Sequence, residues 1–334
     1  MTGPSIVDQP VPPSTALPAA SPPLRLPRSV PAVPDLLPAD RRRAPIPVGP
    51  LTGRRTWWRR WASIAAAGLN RAVDRLPPGR WLHARAQRQL EVHFFDVALR
   101  RGGRGLDGMK LAFLSDLHAG SCMDERDLCR IFARVMETAP DAVCLGGDLI
   151  NTREREILLY REPLKLLRAP LGVFAVPGNH DHFFGRDIGL WQAFLQDQGV
   201  QVLCNRGMRL EREGAGVWLC GVDDLTEATP DLAAALQGWN GQEPVVLLSH
   251  HPDFFFEAAA VGVDVTLSGH THGGQIRVFG KVLCQHSRFG WLQGRVINNG
   301  HQLYVSRGVG VTVLPVRYGA PPEIPVLRLS AAER

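Results

Sequence analysis

A chain of 334 residues with 45% hydrophobic content can bury a full globular core, which excludes a wholly disordered or fibrous protein. The formal charge of +6 is unevenly held: residues 1–53 carry +2, residues 54–88 carry nine Arg against Asp74, and residues 89–334 are net acidic at −4, without the basic, aromatic-interleaved stripe of a nucleic-acid binder. Six Cys without CxxC spacing speak against a thiolate zinc site or a disulfide scaffold and fit reduced thiols in a cytoplasmic protein.

In chain order, residues 1–53 read as a disordered tail, because fourteen of the 27 Pro fall in residues 1–50 and leave little apolar surface to offset ordering entropy. Residues 54–88 read as a basic amphipathic helical segment. Trp57, Trp58, Trp61, Ala65, Leu69, Ala72 and Leu76 gather on one half of a helix, with Arg59, Arg60, Arg71 and Asp74 on the other. The apolar run is too short and too charged to span a bilayer, which takes about 20 apolar residues. Three readings stay open: a helix lying on an anionic membrane surface, with Trp at headgroup depth; a helix packed on the protein's own surface; and a twin-arginine export signal at Arg54-Arg55.

From residue 89 apolar strands alternate with amphipathic helices. "VHFFDVAL" reads as an edge strand. "KLAFLS" ends at Asp116, and a helix follows over Asp124 to Thr138. "DAVCLGG" ends at Asp148, with a helix over about Arg155 to Leu167. "GVFAVPG" ends at Asn179, "GVWLCGV" at Asp223, "PVVLLS" at His250 and "VDVTLSG" at His270. Short continuous apolar runs bounded by Gly or Pro are strands buried on both faces, so the expected fold is a layered α/β domain of about 245 residues.

The chemistry sits at the strand ends, where ligand sites of open α/β sheets form. Asp116 and His118 follow one strand, Asp148 the next, Asn179 and His180 the third, His250 another, and His270 and His272 the last. Each is ligand-grade, and the adjacent Gly let the backbone turn sharply and leave room for ions and substrate. Any single pair is an ordinary turn; five in series, each after its own buried strand, point to one converging site.

Ordered as D-x-H, G-D, G-N-H-D, H-x-P and G-H-x-H, these motifs resemble the calcineurin-like metallophosphoesterase superfamily over roughly residues 89–330. The resemblance implies a four-layer αββα sandwich and two divalent ions. One ion would take Asp116, His118 and His272, the other Asn179, His250 and His270, and Asp148 would bridge them. It further implies hydrolysis of a P–O bond by metal-bound hydroxide. Manganese is the first choice, with Fe, Zn or Mg as the others, since the donors are carboxylate, imidazole and amide. His180 would stabilise the phosphoryl oxygens or protonate the leaving group, oriented by Asp181. The family pattern selects His250 over His251, which would then be solvated or at the pocket rim.

A closer resemblance is to the bacterial branch with an N-terminal hydrophobic or amphipathic segment before "LSDLH" and a closing "YVSRG…VR…PEI" run. Its members include membrane-associated phosphodiesterases and UDP-diacylglucosamine pyrophosphatases. This implies a lipid-linked or nucleotide phosphoester as substrate, at the inner face of a membrane, in a cytoplasmic or peripheral protein without an obligate protein partner. A soluble phosphomonoesterase or nucleotide phosphodiesterase is the second enzymatic reading, and a metal-free protein-binding scaffold the reading from another class. Of the remaining residues, His83, His93, His286 and His301 read as ordinary surface or core. His182 and Phe183 could line the pocket, Asp223 and Asp224 could support the site from behind the ligands or cap loops rather than bind metal, and Arg307 could meet a phosphate.

Overall fold

The computed structural model describes residues 77–120, 122–182, 187–279, 281–282, 286–312 and 314–331. The Pro-rich tail, the Trp-bearing helix expected over residues 54–76, and Phe183 lie outside these residues. Of the basic segment, helix α1 (Pro77–Gln87) is described. No helix among the described residues is long and apolar enough to cross a membrane.

Two six-stranded sheets form the body. The first contains β1 (Glu91–Ala98), β2 (Lys110–Leu114), β3 (Ala142–Gly146), β4 (Val173–Val176), β5 (Gln201–Val202) and β14 (Glu323–Ser330), in the order β1-β14-β2-β3-β4-β5. The second contains β6 (Arg206–Arg212), β7 (Ala215–Gly221), β8 (Val245–Leu248), β9 (Val265–Ser268), β12 (Gly294–Asn298) and β13 (His301–Val305), in the order β12-β13-β9-β8-β7-β6. Strands β2 to β5 are parallel, as are β7, β8, β9 and β13, so within each sheet the carboxyl ends of the site-bearing strands share one edge. The expected edge strand is β1, which pairs in parallel with β14.

Burial on both faces explains the continuous apolar runs. In β2, β3 and β4 alternate residues diverge: Leu111, Phe113, Cys144, Phe174 and Val176 enter the layer between the sheets, where they meet Leu219, Val246, Leu248 and Leu267 of the second sheet. Ala112, Leu114, Val143, Leu145 and Ala175 turn outward under α2 (Glu125–Met136), α3 (Arg161–Leu164) and α4 (Gly189–Asp197). The outer face of the second sheet packs Cys220, Val245 and Leu247 against α5 (Leu232–Ala235) and α6 (Phe255–Ala260). The result is the expected order of helix, sheet, sheet, helix.

Helix α2 matches its prediction and starts at a capping box in which Asp124 and Asp127 satisfy each other's backbone amides. The helix expected over Arg155 to Leu167 does not form as one unit. A 3-10 helix over Glu154–Tyr160 leads into the single turn of α3. Pro163 has no amide to continue the ladder, and the Tyr160 hydroxyl donates instead to Leu149 O at 2.7 Å, pinning this segment to the loop after β3.

Candidate metal centre

The loops leaving β2 and β3 interlock with each other and with the chain after β13 before any side chain is considered, and Gly269 N donates to His250 O at 3.0 Å to join the loops after β8 and β9. Asp116 N donates to Gly147 O (3.0 Å), His118 N to Asp148 O (3.0 Å), Ala119 N to Leu149 O (2.8 Å) and Gly310 N to Asp116 O (2.7 Å). The carboxylates extend the lattice: Asp116 accepts from His270 N at 3.0 Å, and Asp148 Oδ1 accepts from His180 N at 2.7 Å. Backbone amides and the two carboxylates together thus fix where the strand ends point.

Five of the seven residues expected as ligands sit in the left-handed region: Asp116 (φ 53°), His118 (46°), Asp148 (53°), His270 (70°) and His272 (52°). Non-glycine residues rarely occupy it, and sparsely populated backbone costs on the order of 1 kcal/mol or more per residue. The interlocked amides hold that strain, and it turns each side chain back over its strand end. Glycine then supplies close approach. A Cβ on Gly178 would lie 2.3 Å from Asp148 Oδ1, and one on Gly269 would lie 2.3 Å from Asp116 Oδ2.

Three tight groups result, each with ligand atoms within 4.8 Å of one another: Asp116, His118 and His272; Asp116, Asp148 and His250; His118, Asp148 and His180. The first is the set expected for one ion. Asp148 belongs to the other two, with its Oδ2 at 3.3 Å from His250 Nε2 and 3.6 Å from His118 Nε2. His270 is in none of these groups, but its Nδ1 meets Asn179 Oδ1 at 2.8 Å, and its ring stands edge-on to that of His250 at 5.3 Å.

The donor set fits cations. His250 Nδ1 lies 2.8 Å from Gly146 O, and its buried Nε2 is aimed at the carboxylates of Asp148 and Asp116. Burial works against a charged ring, but these carboxylates overcome it and hold His250 well above the ordinary histidine value, so that a proton stands where a cation would. His118 Nε2 and His272 Nε2 face each other at 3.0 Å, and His272 Nε2 lies 3.4 Å from Asp116 Oδ1. Arg317 donates to His272 Nδ1 at 3.3 Å, so the proton of neutral His272 sits on Nε2 and bridges toward His118 and Asp116. Imidazoles and carboxylates brought this close in a buried site are the donor set a cation takes when it displaces that proton. The titration behaviour agrees. Burial, helped by the neighbouring imidazole of His180, pushes His118 down to about 3, and burial also holds His270 and His272 well below the ordinary histidine value, keeping all three in the neutral, ligating form. Burial, reinforced by Asp148 against the pull of His250, raises Asp116 to about 6. Burial works against the charge on Asp148, yet His250 and His180 outweigh it and hold that carboxyl well below its usual range.

Several expectations need correction. Asp181 does not orient the His180 ring: its buried carboxylate accepts the amides of Gly178 (2.8 Å), Leu149 (3.1 Å) and Ile150 (3.2 Å), tying the Gly178–His182 turn to the loop after β3. The ring of His180 is held by Asn151 O, 2.6 Å from its Nδ1, and stands edge-on to His118 at 4.6 Å. His251 is neither solvated nor at a rim. It is buried, its Nδ1 accepts from Asp253 N at 3.2 Å, and its ring lies 4.2 Å from that of His270. His286, read as ordinary, comes edge-on to His270 at 5.7 Å. Arg307 does not face a phosphate position, because Glu91 and Glu323 each engage it at 2.6 Å. Asp224 caps a loop as expected through Thr226 N and Glu227 N, whereas Asp223 pairs with buried His182 at 2.6 Å.

Sequence reasoning missed Arg317. Its buried guanidinium donates to the carbonyls of Gly310 (2.8 Å), Arg307 (2.8 Å), Ala320 (3.1 Å) and His272 (3.2 Å), and so fixes the chain on which His272 rides. It stood in the sequence as the Arg of the closing "VR…PEI" run, between apolar residues and close to prolines, but that run assigned it no role.

Comparison with known proteins places this arrangement. The family model of the calcineurin-like phosphoesterases matches residues 109–274. An uncharacterized metallophosphoesterase of Bacillus subtilis is 30% identical over 68% of this chain and 81% of its own length. One from Helicobacter pylori is 33% identical over 66% of this chain and 60% of its own. A bovine transmembrane protein with a metallophosphoesterase domain is 32% identical over 71% of this chain and 56% of its own. The chain therefore spans less than two thirds of some of the relatives it matches.

Proposed function

This chain belongs to the calcineurin-like metallophosphoesterases, and from that premise we propose that it is a dinuclear phosphodiesterase acting on a lipid-linked or nucleotide phosphoester at a membrane surface. Asp116, His118 and His272 would hold one divalent ion, and Asn179, His250 and His270 the other. The observation that carries the dinuclear reading is the position of Asp148, whose carboxylate stands within 3.3 Å of His250 and 3.6 Å of His118 and so belongs to both halves of the centre. Oxygen and imidazole donors without thiolate favour manganese, with Fe, Zn or Mg as competitors.

When bound, such ions supply Lewis acidity and lower the pKa of water. The chain's own part is positioning and proton handling. His180 keeps its Nδ1 on Asn151 O, so Nε2 is the atom that can hold or deliver a proton to a phosphoryl or leaving oxygen. The interlocked loops keep the centre in shape without substrate, which is the preorganisation that electrostatic catalysis needs.

The membrane part draws on the nine Arg of residues 54–88 and on resemblance to relatives from zebrafish and cattle that are themselves named transmembrane proteins. A UDP-linked glycolipid such as UDP-diacylglucosamine is one substrate of the required class. The test is turnover of bis-(p-nitrophenyl) phosphate against p-nitrophenyl phosphate, each with manganese. Diester hydrolysis is expected, and hydrolysis of the monoester alone would overturn the phosphodiesterase reading.

A further inference from the structure

The net acidity of residues 89–334 hides a strong asymmetry. Between Asp264 and Glu323 there is no Asp or Glu, while six Arg and Lys fall within that stretch. Arg317 is buried and carboxylates from other segments engage Arg288 and Arg307, which leaves Arg277, Lys281 and Arg295 as the cations of the stretch without a carboxylate partner among the described residues. Part of it departs from the metal centre and comes back to it. The chain leaves at His272, runs through the hairpin of β10 (Arg277–Val278) and β11 (Lys281–Val282), and returns at His286 beside His270.

The hairpin is anchored at its root and apolar at its tip. The Gln275 side chain donates to Thr312 O (2.9 Å) and Leu314 O (3.1 Å) and accepts from Thr312 N (2.9 Å), while Arg277 N donates to Tyr318 O at 2.7 Å. Beyond that root Val278 is 48% exposed and Phe279 wholly exposed, and the segment clamped beside it presents Leu314 and Tyr318, the latter 62% exposed. Arg277 and Lys281 flank the tip.

Exposed apolar groups gathered at one place mark an interaction surface. Basic residues flanking an apolar tip, with no carboxylate in the surrounding stretch, match an anionic headgroup layer over acyl chains better than a nucleic acid, which offers nothing apolar to a Val-Phe tip. We propose that the β10–β11 hairpin, with Leu314 and Tyr318, docks the mouth of the metal centre onto an anionic lipid surface. The inference deepens the membrane-surface reading and rests on it for the choice of lipid over a protein partner. A lipid-linked phosphoester could then reach the centre without leaving its bilayer, since both ends of the hairpin excursion abut the ligand loops.

The experiment is flotation of the full chain with phosphatidylglycerol–phosphatidylcholine vesicles and with pure phosphatidylcholine vesicles, comparing wild type with V278D/F279D. Wild type should float with the anionic vesicles, and the double variant should partition about tenfold more weakly. Turnover of soluble bis-(p-nitrophenyl) phosphate should be unchanged by the substitutions. Phe279→Ser alone, at a wholly exposed position, should keep the wild-type Tm and weaken partition in the same direction. Equal flotation of wild type and both variants would assign lipid contact to residues 54–88 and overturn the proposal, as would no flotation at all. A hairpin variant that dissolves a dimer while leaving flotation intact would make the tip a protein interface and overturn the proposal equally. Absence of diester turnover in every form would strike the phosphodiesterase reading and leave the lipid result standing.

Discussion

Replacing Gly178 by Ala puts a Cβ 2.3 Å from Asp148 Oδ1, 2.5 Å from Asp148 N and 2.9 Å from His250 Cδ2. Uncharged carbon contacts settle at about 3.5 Å, so the turn after β4 or the loop after β3 must retreat by about 1 Å. Gly178 is outside the left-handed region, so the penalty is steric rather than conformational. Neither neighbour can yield cheaply: Asp148 Oδ1 already accepts from His180 N, and Asp181, which holds the Gly178 amide, ties the turn to the two amides of Leu149 and Ile150. Overpacking of this kind costs about 1–3 kcal/mol, or roughly 2–12 °C in Tm for a domain of this size. Misplacement by about 1 Å near the reacting atoms costs on the order of 100-fold in kcat. The assay is manganese-supported diester turnover together with Tm. Gly103→Ala is the control, because its φ is −88° and its Cβ would meet only Ala215 Cβ at 3.2 Å. If Gly178→Ala matched wild type in turnover and Tm, close backbone approach would not be what shapes the centre.

His180→Ala should lower kcat by about 100- to 10,000-fold while leaving manganese content unchanged, as metal analysis of the purified variant would show. Arg317→Met should destabilise by at least about 3 kcal/mol in urea unfolding, because four carbonyls lose their buried donor. For the His182–Asp223 pair, burial opposes the imidazolium, but the Asp223 carboxylate wins and raises His182 above its ordinary value; burial likewise opposes ionised Asp223, but His182 lowers it. A raised histidine stabilises the fold below its unfolded value near 6.5 and loses that contribution as pH climbs through the folded value, while the lowered carboxyl loses its part as pH falls through its own. Asp223→Asn should therefore bring the NMR-titrated pKa of His182 below 6.5 and flatten the stability profile between those limits.

What the sequence disclosed and what it withheld divide along a physical line. The strand ends were legible because β2, β3, β4 and β8 are buried on both faces and read as apolar runs, β9 differing only by its small buried Thr266 and Ser268, so the ligand-grade residue that follows stands out. Capping of α2 was legible because it is local. The roles of Asp181, His251, His286 and Arg317 were not, since each is set by partners brought in by tertiary contact. Asp181 meets amides about thirty residues away, and Arg317 reaches a carbonyl 45 residues upstream. The hairpin of β10 and β11 has strands of two residues, too short to leave a period. The interrupted helix before α3 shows the same limit: amphipathic spacing was present, but Pro163 and the Tyr160 anchor decided the backbone.

The claim on which the rest stands is that one carboxylate, Asp148, serves two dications. Manganese titration followed by electron paramagnetic resonance tests it directly. Two bound ions per wild-type chain with a spin-coupled signal are expected, falling to one uncoupled ion in Asp148→Asn. A single ion in wild type, or an undiminished coupled pair in the variant, would contradict it.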